Sequence, residues 1–276
     1  MIGRVLPPLP QALTPARPRA GRLALGSGRH LVERNLLFFR GHMLVIIGGF
    51  FEALFYLLSI GVGISDLVGD VEGPGGRRLE YTEFVAPAML AASAMNGAVM
   101  ESFNIMAKLH LSKSYEAVLA TPVTVRDIAV GEITWSLMRG GMYSAAFLGV
   151  MAALGLISSW WAVLAFPAAL LVGFTFAALG LAAVSAIRGW QDFEWVMTAV
   201  LPMFLFSGTF APLSTYPDAV AWLARVMPLY HGVSLIRALT TGAVGGVLLV
   251  HLLYLVVVGA GAFLFATRRL EAHLLT

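Results

Sequence analysis

"GGMYSAAFLGVMAALGLISSWWAVLAFPAALLVGFTFAALGLAAVSAI", residues 140–187, runs for 48 residues without one Asp, Glu, Lys or Arg. As a single helix, at about 1.5 Å per residue, it would extend about 72 Å, more than twice the roughly 30 Å of a bilayer's hydrocarbon core. The segment must therefore fold back as a hairpin. "GLISSWW" (155–161) is the expected turn, its paired Trp160 and Trp161 suited to a membrane interface. Composition extends this reading to the whole chain: of 276 residues, 59% are hydrophobic and 12% charged, and the mean hydropathy is +0.83. Soluble domains hold about 45–50% apolar and about 25% charged residues. The fold class is all-α, a polytopic membrane protein.

Apolar segments on either side of the hairpin predict six transmembrane helices: 43–64, 84–106, 133–157, 160–187, 195–210 and 246–266. The fifth, about 16 residues, is short for a full span. Its end runs into "LFSGTFAPLSTYPDAVAWLARVMPLYHGVSLIRAL" (205–239), where Gly208, Pro212, Pro217 and Pro228 break the helix. With the N-terminus inside, 13 Lys and Arg lie on the inner side, and four (Arg77, Arg78, Arg225, Arg237) lie outside, with Arg139 in the third span. The positive-inside rule predicts a multi-pass membrane protein with both termini cytoplasmic. Residues 1–28 read as a flexible, basic, Pro-rich cytoplasmic tail, 42–269 as the membrane domain and 270–276 as a second tail. The basic tail suits anionic lipid. No aromatic-interleaved basic patch accompanies it, so nucleic acid is not an expected partner.

Other function classes find little support. The chain has no Cys, which removes thiolate metal sites and thiol nucleophiles. It has no G-x-x-x-x-G-K-[ST] phosphate cradle, no H-E-x-x-H metal spacing and no G-x-S-x-G elbow. No catalytic residue, metal site or bound cofactor is expected. "QDFEW" (191–195) reads as a polar turn before the fifth span.

Two segments and several ionisable residues stand out. In "RHLVERNLLFFRG" (29–41), Leu31, Val32, Leu36, Phe38 and Phe39 share one side of a helix and Arg29, His30, Glu33, Arg34 and Arg40 the other, as in an amphipathic interfacial helix. Simple continuation of the first span is an equal reading. Within "KLHLSKSYEAVLATPVTVRDIAVGE" (108–132), residues 112–120 form a short helix, with Ser112 or Ser114 as cap and Pro122 as stop. So short a helix needs a dock, either the bundle's own base or a separate subunit. Glu52, Glu101, Glu132, Arg139 and His251 lie in or at the edges of spans, where charge is costly and usually finds a partner or cavity. Arg139, near the inner end, is expected to snorkel to the interface. Glu132 and Arg139 are two turns apart on one helix face, too far for a direct pair.

These segments resemble the ABC-2 family of ATP-binding-cassette export permeases. Residues 205–239 carry its F-x-S-G-x-F-x-P-L turn, a P-x-x-x-x-W-L helix, "PL" and a closing "R-A-L". "FVAPAMLAASAMNGAVMES" followed by "KSYEAVLATPVTVRDIAVGEI" resembles in particular the nodulation-factor (lipo-oligosaccharide) and daunorubicin-type export permeases. The resemblance covers about residues 30–270 and implies the six-helix ABC-2 (type V exporter) fold. Residues 29–41 become the amphipathic connecting helix, 112–120 a coupling helix, and 208–240 a re-entrant region between the fifth and sixth spans. It also implies ATP and Mg on two copies of a cytoplasmic ABC ATPase, and a second permease subunit as homodimer or heterodimer. Carried over by residue, Ser112, Lys113, Tyr115, Glu116 and Leu119 are the ATPase-coupling candidates. Phe206, Phe210, Leu213, Trp222 and Met227 are the outer-gate candidates.

The function expected from this resemblance is the permease subunit of an exporter that moves an amphipathic substrate (lipo-oligosaccharide, glycolipid or hydrophobic drug) outward, and not an enzyme by itself. One alternative is a proton-coupled secondary transporter using Glu52 or Glu101, although no inverted repeat is visible. A polytopic enzyme acting on lipid-linked sugars would need a convergent acid and base that the sequence does not offer.

Overall fold

A computed structural model of the chain describes residues 32–37, 51, 54–112, 114–187 and 189–274. The tail 1–28, residues 29–31 and 38–41 of the connecting helix, residues 43–50 of the first span, Glu52 and Lys113 lie outside the described residues. From the first long helix onward, the elements are α1 (Tyr81–Met106, prolonged by a π-helical turn Ala107–Leu111), α2 (Ser114–Leu119), α3 (Val125–Ala153) and α4 (Ala165–Ala186, entered through a 3-10 turn Trp160–Leu164). There follow α5 (Trp190–Phe206), α6 (Asp218–Val226), α7 (Pro228–Thr241) and α8 (Val247–Leu274). Before α1, a small antiparallel hairpin pairs β1 (Val71–Glu72) with β2 (Arg78–Leu79), a minor departure from the all-α expectation. Gly75 and Gly76 turn it with φ near +72° and +76°, a region that only glycine enters without strain.

The boundaries follow from local chemistry. The hairpin of residues 140–187 turns where expected: α3 stops at Ala153, Gly155 adopts φ 72°, and Ser159 caps the 3-10 turn through the Trp161 amide. α3 begins eight residues before the expected start at Ile133, because Thr124 and Asp127 form a reciprocal capping box (Asp127 N to Thr124 Oγ1 3.2 Å, Thr124 N to Asp127 Oδ2 2.9 Å). That pair satisfies amides no preceding turn can reach. "QDFEW" is a helix start rather than a turn, forming the opening of α5. α6 and α7 meet at Met227, whose extended backbone (ψ 132°) is the conformation that a following proline imposes, and the pair is bent by 85°. Gly242, at φ 81°, ends α7.

Among the described residues, three helices are long and apolar enough to cross a membrane, 81–111, 160–186 and 247–274, and a fourth crossing results if the bent α6–α7 pair is one span. α1 is the axis, packed against α3, α4 and α7, while α8 lies against α4 at the periphery. In the apolar window of α1, 83% of residues are buried, against 17% in α8, so α8 leaves most of its apolar surface outside the bundle. Close approach rests on small residues, since between helices in lipid contact area rather than water exclusion supplies the attraction. Ala86, Ala88, Ala91, Ala94 and Ala98 of α1 are all buried.

At Gly180 of α4 an added Cβ would stand 1.8 Å from Ser102 Oγ and 2.8 Å from Ser102 Cβ. Gly180→Val should therefore separate α1 from α4, lowering stability by about 1–3 kcal/mol. Thermal unfolding in detergent will show the lower midpoint, and adding Ser102→Gly should recover part of it. An unchanged midpoint would contradict this packing.

Candidate functional site

The C-terminal end of α1 and its π-helical continuation place Glu101, Asn104 and Lys108 at i, i+3 and i+7, one polar stripe of a largely apolar helix. α3 presents Glu132 and Arg139, also seven apart, and the two stripes face each other. Arg139 Nη1 stands 3.2 Å from Glu101 Oε2, which also accepts from Asn104 Nδ2 at 3.2 Å. Lys108 Nζ stands 2.7 Å from Glu132 Oε2 and 3.8 Å from Glu101 Oε1, linking the two carboxylates. From the connecting segment, Asn35 Nδ2 donates to Glu132 Oε2 at 3.1 Å, and Arg34 Nη2 approaches Glu132 Oε1 at 3.5 Å. Lys108 also donates to Asn35 Oδ1 at 3.2 Å.

Two carboxylates and three cations thus join segments far apart in the chain. Glu132 is 0% exposed and Glu101 1%. A lone carboxylate so placed would be strongly disfavoured, and multiple charged and polar partners are what make its burial tolerable. α2 closes over the cluster. Tyr115, 2% exposed, is buried beside Glu132, and burial followed by the Glu132 charge pushes its phenol well above the ordinary tyrosine value. The phenol accordingly stays protonated and neutral. α2 is therefore seated on the base of the bundle by an aromatic side chain that reaches the charge network.

The expected site residues fall out as follows. Glu101 and Arg139 come together. The expected snorkelling of Arg139 is corrected, since it is 6% exposed and turns inward to Glu101, 38 residues earlier. Tyr115 faces the bundle and offers no surface to a partner, whereas Glu116 is exposed and Leu119 half-buried. Ser112 is exposed and its hydroxyl lies 2.6 Å from that of Ser114. At the other end, Phe206 lies edge-on to Tyr216 and Phe210 edge-on to Phe204, with ring centroids 6.0 and 5.3 Å apart. Leu213 and Met227 are half-buried, and Trp222 is 66% exposed. Arg237, counted above among the four outside charges, is buried on α7, donating from Nε to the Phe84 carbonyl (3.0 Å) and from Nη2 to the Gly208 carbonyl (2.8 Å). The roles of Lys108, Arg34 and Asn35 were missed. The 101–104–108 polar stripe was the signal that pointed to Lys108. Among the described residues no group of three or more His, Asp or Glu stands as a metal-binding cluster.

A bundle of apolar helices around a buried charge network, with a short helix docked on its base and a bent helix pair at its far end, defines an integral membrane protein of the transporter type. The chain belongs to the ABC-2 type transporter family, which it matches over residues 29–240. Among characterised relatives it is similar to Nodulation protein J of Sinorhizobium fredii (strain NBRC 101917 / NGR234), 31% identical over 234 residues, covering 84% of this chain and 87% of that protein. It is likewise similar to Nodulation protein J of Rhizobium leguminosarum bv. viciae, 30% identical over 247 residues, 88% of this chain and 93% of the relative.

The network makes an asymmetric prediction about stability. Glu101→Ala leaves Arg139 buried without its carboxylate and should cost about 3–5 kcal/mol, whereas Glu101→Leu with Arg139→Met removes both charges and should cost far less. Equal thermal midpoints in detergent for the single and double variants would contradict the pairing.

Proposed function

We propose that this chain is the transmembrane subunit of an ATP-driven exporter in the bacterial inner membrane, working with a separate cytoplasmic ATPase and a second permease subunit. The observation that carries the reading is the seating of α2: its inner face is anchored through Tyr115 beside Glu132, while Glu116 on the opposite side is exposed. A six-residue helix held rigidly at the base of a bundle suits a lever that a partner pushes, because isolated helices of that length are unstable. Closure of two ATPase subunits on ATP would move α2, and the charge network would pass that motion to α1, α3 and the connecting segment as one body.

In this reading the chain makes six crossings with both termini cytoplasmic, and α6 and α7 are re-entrant on the outer face. Phe206, Phe210, Leu213, Trp222 and Met227 form an apolar outer gate there. Broken backbone at membrane depth is tolerated where protein buries it or a cavity receives it, and the α6–α7 bend meets that condition through the Arg225 and Val226 carbonyls, which accept from His231 Nε2 and from the Tyr254 hydroxyl. The substrate class is amphipathic, a lipo-oligosaccharide or related glycolipid, in keeping with the relatives above. A proton-coupled carrier finds no support at Glu101, which Arg139, Asn104 and Lys108 already engage.

Co-expression with the ATPase of the same transporter tests the reading. Glu116→Arg reverses charge on the exposed side of α2 without touching the network. The ATPase recovered with the purified permease should fall about tenfold, with the permease's own thermal midpoint unchanged. Full ATPase recovery together with full export would sink the assignment of α2 as the docking element.

A further inference from the structure

At the end of α1 opposite the charge network, a cavity of about 620 Å³ opens between the β1–β2 hairpin, the α5–α6 connection, α7 and the start of α8. Its wall includes Arg237, Gly208, Tyr230, Ser234 and His251. Arg237 is 6% exposed, its guanidinium lies over the Phe84 ring at 3.7 Å, and two of its donors are engaged by the Phe84 and Gly208 carbonyls. Arginine carries five N–H donors, so the rest remain to be satisfied. Among the described residues, no carboxylate pairs with it.

That arrangement contrasts with the opposite end of the same helix, where the buried Glu101, Glu132 and Arg139 each have a partner of opposite sign. Holding two carbonyls requires donors but not a full positive charge, and burying an unmatched cation is costly. The one carboxylate on the cavity wall, Glu72, is exposed on the hairpin, directly across the strand pair from Arg78. A carboxylate in water is screened, whereas an anion entering beside Arg237 would meet it in a low-dielectric setting where the attraction is much stronger. The wall is mostly apolar, but it carries three neutral polar side chains near Arg237: Tyr230, Ser234 and His251. His231 Nε2 stands 2.9 Å from the Arg225 carbonyl, so it bears the proton, and neutral His231 then accepts at Nδ1 from His251 Nδ1 at 2.9 Å. This fixes the His251 ring with its other nitrogen free to accept, beside the hydroxyls of Tyr230 and Ser234 on the same wall.

We propose that this cavity binds an anionic oxygen headgroup of phosphate or sulfate type, with Arg237 as its countercharge and Tyr230, Ser234 and His251 receiving adjoining hydroxyls. The proposal goes beyond export, because equilibrium binding at this site needs neither ATP nor an ATPase.

The test titrates the purified full-length chain, in neutral detergent and without nucleotide, with short-chain phosphatidic acid, the matching diacylglycerol, and inorganic phosphate, reading binding by calorimetry. Phosphatidic acid should bind at least about tenfold more tightly than diacylglycerol, the margin of a charge-assisted contact to Arg. Binding of inorganic phosphate to the same extent would identify a free anion as sufficient, and binding of phosphatidic acid alone would identify a lipid headgroup. Arg237→Gln keeps an amide donor for the carbonyls but removes the charge, and should abolish the preference. Val244→Trp fills the cavity from an exposed position on its wall, leaves Arg237 in place, and should also abolish binding with the thermal midpoint unchanged. Failure of both phosphate-bearing probes to bind, or wild-type binding by either variant, would overturn the proposal.

Discussion

Glu132 has no exposed surface, yet it is a carboxylate. Its burial is possible only because Lys108, Asn35 and Arg34 converge on it from two other segments of the chain, and that requirement organises the inner half of the molecule. Lys108 belongs to the π-helical continuation of α1, so the helix must extend past Met106 to deliver it. Arg34 and Asn35 must lie against the base of the bundle, and Tyr115 of α2 packs over the same carboxylate. Remove the charge and none of these segments has a comparable reason to meet there. Salt bridges of this kind add little net stability, but breaking one side is costly, so they act chiefly to fix which segments are neighbours.

α1 connects this cluster to a very different environment. Phe84 lies 17 residues from Glu101, about 25 Å along the helix, and its carbonyl and ring hold Arg237 of α7. One helix therefore carries a matched charge network at one end and an unmatched buried cation beside a cavity at the other. In the proposed exporter this is a plausible mechanical layout. A push on α2 reaches α1 through rigid, paired side chains, and α1 is tied to the bent α6–α7 pair through Arg237. The Ala-rich surface of α1 and glycines such as Gly180 allow the helices to stay in close contact along the intervening length.

The parts of this structure that could be read in the sequence are those set by local chemistry or by the membrane's thickness. The hairpin of residues 140–187 was legible because no charge interrupts it, and the α6–α7 break because Pro217 and Pro228 punctuate it. The early start of α3 was missed although its Thr124–Asp127 capping box is visible, because the polar residues that follow suggested a loop. Arg139 was misplaced for a different reason: its partner lies 38 residues away. Charge counting assigns an arginine to a membrane face, and only tertiary contact shows that it has turned inward. Tyr115 was expected as an ATPase contact yet is buried, because the amphipathic pattern of so short a helix did not show which side met the bundle.

If the Glu132 cluster ties α2 to the spans as one moving body, export per ATP hydrolysed in proteoliposomes depends on it. Lys108→Met with Glu132→Gln removes both charges while an amide remains for Asn35, so the permease should fold and still bind its ATPase. The account predicts near-normal ATP hydrolysis with export per ATP reduced about tenfold, the scale of a coupling free energy between sites. Unchanged export per ATP in a correctly assembled double variant would contradict it.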